Sequence, residues 1–322
     1  MDYSSFIERD LAAIPAAVAD FRAEHTAEET WIEVTRFAVL AFAPSQHSKH
    51  ALLACLSAWD LRDDLGAQFD QAVVECAVYA AASRQPWSEP PMLDPPKLET
   101  GQRGDIDELR EAIAASDRLR AERWLAKRFR DADFTRDFFA AASANLDDLG
   151  HNLIITNAAV RLAALLGEKG RYAMLRVGVF EMVALGGGEW GVGSGSENLD
   201  LDLLGNALVE NVIANDGEII SAHALFLFDA ALQTEDRDVI RRVASHLSKT
   251  SGHGTASAPT PHTPHPTPQS YQFARDYGAY LKAHAVAKRL RPRFPNADFD
   301  GMLAAVHRNL ETAPSAEGMT FA

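Results

Sequence analysis

Apolar residues recur at every third or fourth position along most of the chain, the spacing of one face of an α-helix. The rhythm predicts helices over residues 5–24, 28–43, 47–64 and 66–84, with the acidic run Asp60 to Asp64 and Gly66 parting the last two. It resumes as one long, charged helix from Asp105 to about Arg130, then over 132–146, 148–166 and 169–185, with Gly167 and Gly170 at the turn between the last pair. Further helices are expected over 199–213, 217–233, 235–249, 269–291 and 297–311. No stretch of useful length alternates apolar with polar residues, and there is no hairpin signal. The expected fold class is all-α: an irregular multi-helix array or bundle, one domain over 1–322, with a central histidine-lined site.

Three stretches break the rhythm. Residues 86–104 carry Pro86, Pro90, Pro91, Pro95 and Pro96 and read as an irregular connector. Residues 186–197 are rich in glycine. A helix precedes them and no lysine follows, so they read as a flexible helix–helix link, with a lid over a site as the alternative, and not as a phosphate cradle. Residues 250–269 are rich in proline, threonine and histidine. They cannot build a core and read as an extended linker, with a metal-binding tract through His253, His262 and His265 as the alternative.

Of the 322 residues, 47% are hydrophobic, enough to build a substantial core. A net charge of -14 argues against nucleic acid as a partner, because no broad cationic face is available to displace counterions. The N-terminus lacks a signal-peptide layout, and no run of eighteen apolar residues is present. A soluble, cytoplasmic protein without membrane association is therefore expected. The two cysteines, Cys55 and Cys76, lie in apolar helical contexts and read as core positions. No dinucleotide-binding strand–turn–helix is present, so no flavin or nicotinamide fold is expected. Neither a G-x-S-x-G nor an H-E-x-x-H motif occurs.

The candidate chemistry lies in a repeated histidine context: His50-Ala-Leu-Leu, His151-Asn-Leu-Ile, His223-Ala-Leu-Phe and His284-Ala-Val-Ala, each inside an apolar helical segment. A single histidine of this kind is usually a satisfied core residue. Four on separate helices suggest imidazoles converging on one divalent transition metal. His47 is three residues before His50 and shares its face, with Ser45 a fitting N-cap, so both rings fall near a first turn where the helix dipole favours neutral imidazole. Asp147, four residues before His151, or Asp148, three before, is placed to accept the other ring N–H. Four neutral imidazoles leave a dication uncompensated, so an anionic ligand is expected to join. Lys288, one turn beyond His284, could supply it. Burial would remove its proton, and carbon dioxide would convert the amine to a carbamate ligand. Its place in Lys288-Arg289-Leu290-Arg291 also fits a solvent-exposed basic run. Glu181 and Asp147 are rival carboxylates. Trp59, Trp124, Phe226 and Phe228 read as core, with a pocket lining as the alternative.

The run His47-Ser-Lys-His50-Ala-Leu-Leu-Ala-Cys-Leu-Ser-Ala resembles the H-x-x-H and aliphatic helix near the start of the questin oxidase-like family. Leu149-Gly-His151-Asn-Leu-Ile154-Ile155 is similar to that family's central H-P-L-I-H motif, although Asn152 replaces the proline and Ile155 the second histidine. Ser221-Ala-His223-Ala-Leu and Lys282-Ala-His284-Ala-Val resemble its later histidine helices. The resemblance implies an all-helical, non-haem metal oxygenase with iron as the expected metal and dioxygen as co-substrate. His50, His151, His223 and His284 would be its ligands by motif position, with His47 a fifth or neighbouring group. The implied substrate is a small polycyclic aromatic or polyketide-type molecule, oxidised by ring carbon–carbon cleavage or by Baeyer–Villiger-like oxygen insertion. Two other readings stand beside it: a non-catalytic helical module that binds a ligand or protein, and a cofactor-independent hydrolase or lyase using one histidine as general base.

Overall fold

Local backbone chemistry divides two helices that periodicity alone joins. The computed structural model describes residues 1–43, 48–84, 95, 104–186, 200–250 and 269–311. Arg9 adopts the left-handed conformation (φ 59°) and closes α1 (Ser4–Glu8). Helix α2 (Ile14–Glu24) then starts afresh with Pro15 in its first turn, where a missing N–H breaks no hydrogen bond. Helix α3 (Ala27–Ala41) opens on a capping box between Thr26 and Glu29. Helix α4 (Ser48–Asp60) is parted from α6 (Phe69–Ser83) by the short α5 (Arg62–Leu65) and a 3-10 turn. The charged helix expected over 105–130 is also two. Helix α7 (Ile106–Ala114) ends at left-handed Ser116, and Asp117 caps α8 (Arg118–Arg128) by accepting from the Arg120 N–H.

Next come α9 (Phe134–Ala142), α10 (His151–Leu166) and α11 (Glu168–Leu185). Gly167, at φ 69°, lets the chain reverse so that α10 and α11 pack along each other. The remaining helices are α12 (Leu201–Ala214), α13 (Ile219–Gln233), α14 (Arg237–Thr250), α15 (Gln269–Leu290) and α16 (Phe299–Glu311). The described residues contain no strand, and the class is all-α, as the periodicity predicts.

One hydrophobic cluster runs from Phe6 to Val306. Helices α4 and α10 lie at its centre, with ten of thirteen and twelve of sixteen residues buried, so polar side chains on them must find partners inside the protein. The stretch Asp148–Leu166 is long and apolar enough to cross a membrane by composition, and 72% of it is buried in this core. Trp124 and Phe228 are core residues, Trp59 stacks on Trp31 at 4.4 Å, and the free thiols Cys55 and Cys76 are buried.

A charge network fixes how α4, α10, α13 and α15 run. Arg161 of α10 bonds to Asp60 of α4, and Arg289 of α15 bonds to both Asp60 and Asp229 of α13. These ties join the later turns of α4, α10 and α13, so the first turns of the same three helices meet at the other end. Most of the connector 86–104, the glycine-rich loop 186–197 and the segment 250–269 lie outside the described residues, as do Ser45 and His47.

Candidate metal centre

Three of the matched histidines stand at those helix starts. His151 is the first residue of α10, His50 the third of α4 and His223 the fifth of α13. Their ring centres are 5.1 Å apart for His50–His151, 5.6 Å for His50–His223 and 5.0 Å for His151–His223, with interplanar angles of 81°, 88° and 72°. One nitrogen of each ring lies within 4.8 Å of the others. An imidazole nitrogen about 2.1 Å from a cation, a ring centre about 1.1 Å beyond it and bond angles of about 109° put neighbouring ring centres about 5.2 Å apart. The ring centres are thus spaced closely enough that the three imidazoles could hold one cation.

An unusual turn delivers His151. Asp148, Leu149 and Gly150 are successive left-handed residues, at φ 50°, 60° and 75°. That conformation costs about 1–2 kcal/mol for each residue with a side chain, and such strain gathers at functional sites. The turn brings the Asp148 backbone oxygen to 2.5 Å and its Oδ2 to 3.0 Å from His151 Nδ1. The ring proton therefore sits on Nδ1. His151 Nε2 is buried and has no hydrogen-bond partner, the condition of a nitrogen that fits a metal. His223 Nδ1 donates to the Ile219 carbonyl at 2.7 Å, which leaves Nε2 as its lone-pair nitrogen. Burial, with the neighbouring His151, pulls His223 down to about 4, so it is neutral at ordinary pH.

Beyond the imidazoles lies a buried cation. Lys49 Nζ donates to Asp148 Oδ2 at 2.8 Å and to Glu181 Oε1 at 3.0 Å. Burial raises the Asp148 carboxyl, but hydrogen bonds from His151 and Lys49 outweigh it and hold the group well below the usual carboxylate range. Glu181 is wholly buried and its Oε2 has no hydrogen-bond partner. Burial pushes its carboxyl up against the pull of Lys49.

Several sequence expectations are corrected here. His284 is not in the three-histidine group. Its ring packs 4.3 Å from Tyr280, which in turn lies 5.7 Å from His307, so this face of α15 turns to α16. Lys288 is not a buried ligand. Its side chain is 45% exposed, and its Nζ donates to Asp64 Oδ2 at 2.6 Å and to the Asp60 carbonyl at 3.1 Å, away from the three histidines. Asp147 is exposed, and its backbone N–H bonds to Asn145 Oδ1. The left-handed turn presents Asp148 to the ring instead. Glu181 is engaged by Lys49.

Sequence reasoning passed over Lys49, although a lysine on a helix that is apolar all round has to be buried. It also passed over Lys282, which is buried with its Nζ 5.7 Å from the Phe226 ring. That ring is itself 5.7 Å from His223. Burial, helped by Arg289, lowers Lys282 to about 8.

Compared with family models, with curated proteins and with solved structures, the chain matches none. The likeness to the questin oxidase-like family thus rests on the short motifs quoted above.

Proposed function

We propose that this chain is a mononuclear non-haem metal enzyme, an oxygenase whose metal is held by His50, His151 and His223, with iron the leading choice. The observation that carries this reading is the buried, unsatisfied Nε2 of His151 beside two near-perpendicular imidazoles. Three nitrogen donors leave further coordination positions open to small ligands. When bound, such an ion supplies Lewis acidity and a place for dioxygen and a substrate oxygen.

The protein's own residues do the rest. Burial keeps the His223 imidazole neutral, the donor form. Asp148 orients His151, and the hydrophobic core around α4 and α10 excludes bulk water. A polycyclic aromatic or polyketide-type substrate, opened at a ring carbon–carbon bond or oxidised by oxygen insertion, is drawn from the motif resemblance.

The Asp148–His151 pair also fits a metal-free general base, and this is the second reading. A base needs one imidazole, however, and gains nothing from two more turned toward it. A helical binding module gives no reason for that convergence.

Elemental analysis of protein purified without a histidine tag tests the proposal. One equivalent of a transition metal is expected, lost in His151→Ala and His223→Ala with the helical circular dichroism intact. Wild-type protein that neither carries nor takes up metal would sink it.

A further inference from the structure

We infer that Lys49 is a positioning residue that fixes His151 as an Nε2 donor, acting through Asp148. The inference rests on the proposed metal centre and extends it to a residue that touches no metal. Lys49 is buried beside His50, and its ammonium joins three elements at one atom: α4 itself, the left-handed turn through Asp148, and α11 through Glu181.

Asp148 needs such a hold. Its side chain is 44% exposed, so with no internal partner beyond the ring it is free to rotate into water. Asp148 Oδ2 instead receives Lys49 Nζ and His151 Nδ1 together, at 2.8 and 3.0 Å. A histidine side chain free in water favours its proton on Nε2, the nitrogen that must be bare here, so the protein has to impose the other tautomer. The Asp148 backbone oxygen at 2.5 Å and its carboxylate at 3.0 Å impose it together, and Lys49 keeps the carboxylate, the half of the pair that can swing away, in place. Glu181, wholly buried, anchors the amine from the far side. A cation placed so near a metal site repels the metal, and positioning is the benefit that offsets this cost.

The test uses full-length, metal-free protein labelled with 15N-histidine. Wild type is expected to show His151 in the Nδ1–H tautomer by NMR. Lys49→Met should move it toward Nε2–H and weaken cobalt(II) binding, measured by chelator competition, by about 10–100-fold, the usual cost of losing an outer-shell partner. Lys49→Arg should restore both. An unchanged tautomer and unchanged cobalt affinity in folded Lys49→Met would overturn the inference. Should that variant fail to fold because Glu181 is left unpaired, Lys49→Met with Glu181→Gln puts the same question to the tautomer. If wild type binds no cobalt while the tautomer still responds to Lys49, the metal reading fails and the positioning role stands.

Discussion

Gly150 rests directly against Leu227: a Cβ at Gly150 would stand 2.6 Å from both Leu227 methyl groups. The contact brings the start of α10 against α13, and so His151 to His223. Gly150 also sits at φ 75°, where an L side chain is strained. Gly150→Ala is therefore expected to destabilise the protein by roughly 2–5 kcal/mol, from overpacking and left-handed strain together. Urea unfolding measures it. Adding Leu227→Ala should relieve the overpacking part and leave the conformational part.

The three clustered histidines and His284 should separate cleanly in an alanine series. His50→Ala, His151→Ala and His223→Ala are each expected to abolish stoichiometric metal, since a site with two remaining nitrogens holds a cation weakly. His284→Ala should retain it, because that ring faces Tyr280 on the side of α15 turned to α16. Equal metal loss in all four variants would restore the four-ligand set implied by the motifs.

The fold class was legible because the apolar spacing is helical nearly throughout, and three of the four matched histidines come together where the starts of α4, α10 and α13 meet. What failed was direction. Spacing put Lys288 on the same face as His284, but it cannot say where that face points, and in the fold it carries His284 to Tyr280 and Lys288 to Asp64 and the end of α4, not to the three histidines. Asp147 and Asp148 were equal candidates on paper. The choice was made by three consecutive left-handed residues, and only Gly150 among them carries a sequence cue. Helix breaks at Arg9 and Ser116 were missed for the same reason: neither is glycine, yet both adopt φ near +55°.

Neighbouring residues of the basic run should behave in opposite ways. Arg289 bonds through Nε and Nη2 to Asp229, which is 1% exposed, and through Nη1 to Asp60. Removing it leaves a buried carboxylate without its cation, so Arg289→Ala is expected to cost about 3–5 kcal/mol. Lys288 makes an exposed pair with Asp64, and Lys288→Ala should cost under about 1 kcal/mol and leave metal content unchanged. Loss of metal in Lys288→Ala would reopen the carbamate role.

Glu75 should make the protein less stable as pH rises from about 4.5 through about 7. It is 7% exposed on α6, its Oε1 receives one hydrogen bond, from Gln71 Nε2 at 2.8 Å, and burial pushes its carboxyl up to about 7. In the unfolded chain the group titrates near its ordinary value of 4.5. Between those values the folded state holds the proton that the unfolded state has released, so stability falls as pH rises. The contribution is complete below about 4.5 and gone once the pH has passed through about 7. His223 works in the opposite sense. Its folded value of about 4 lies below the ordinary 6.5, so its contribution is present above 6.5 and is lost as pH falls through about 4. The two slopes oppose each other at mildly acidic pH; above about 6.5 that of His223 ends, and toward 8 that of Glu75 is met by Lys282, whose folded value of about 8 lies below its ordinary 10.5 and gives a slope of the opposite sign. Urea unfolding of metal-free protein from about pH 6 to 8 should show the stability of wild type falling relative to that of Glu75→Gln, which removes the charge and keeps a polar group for Gln71. Parallel slopes in the two proteins would mean that Glu75 is ionised in the fold at little cost.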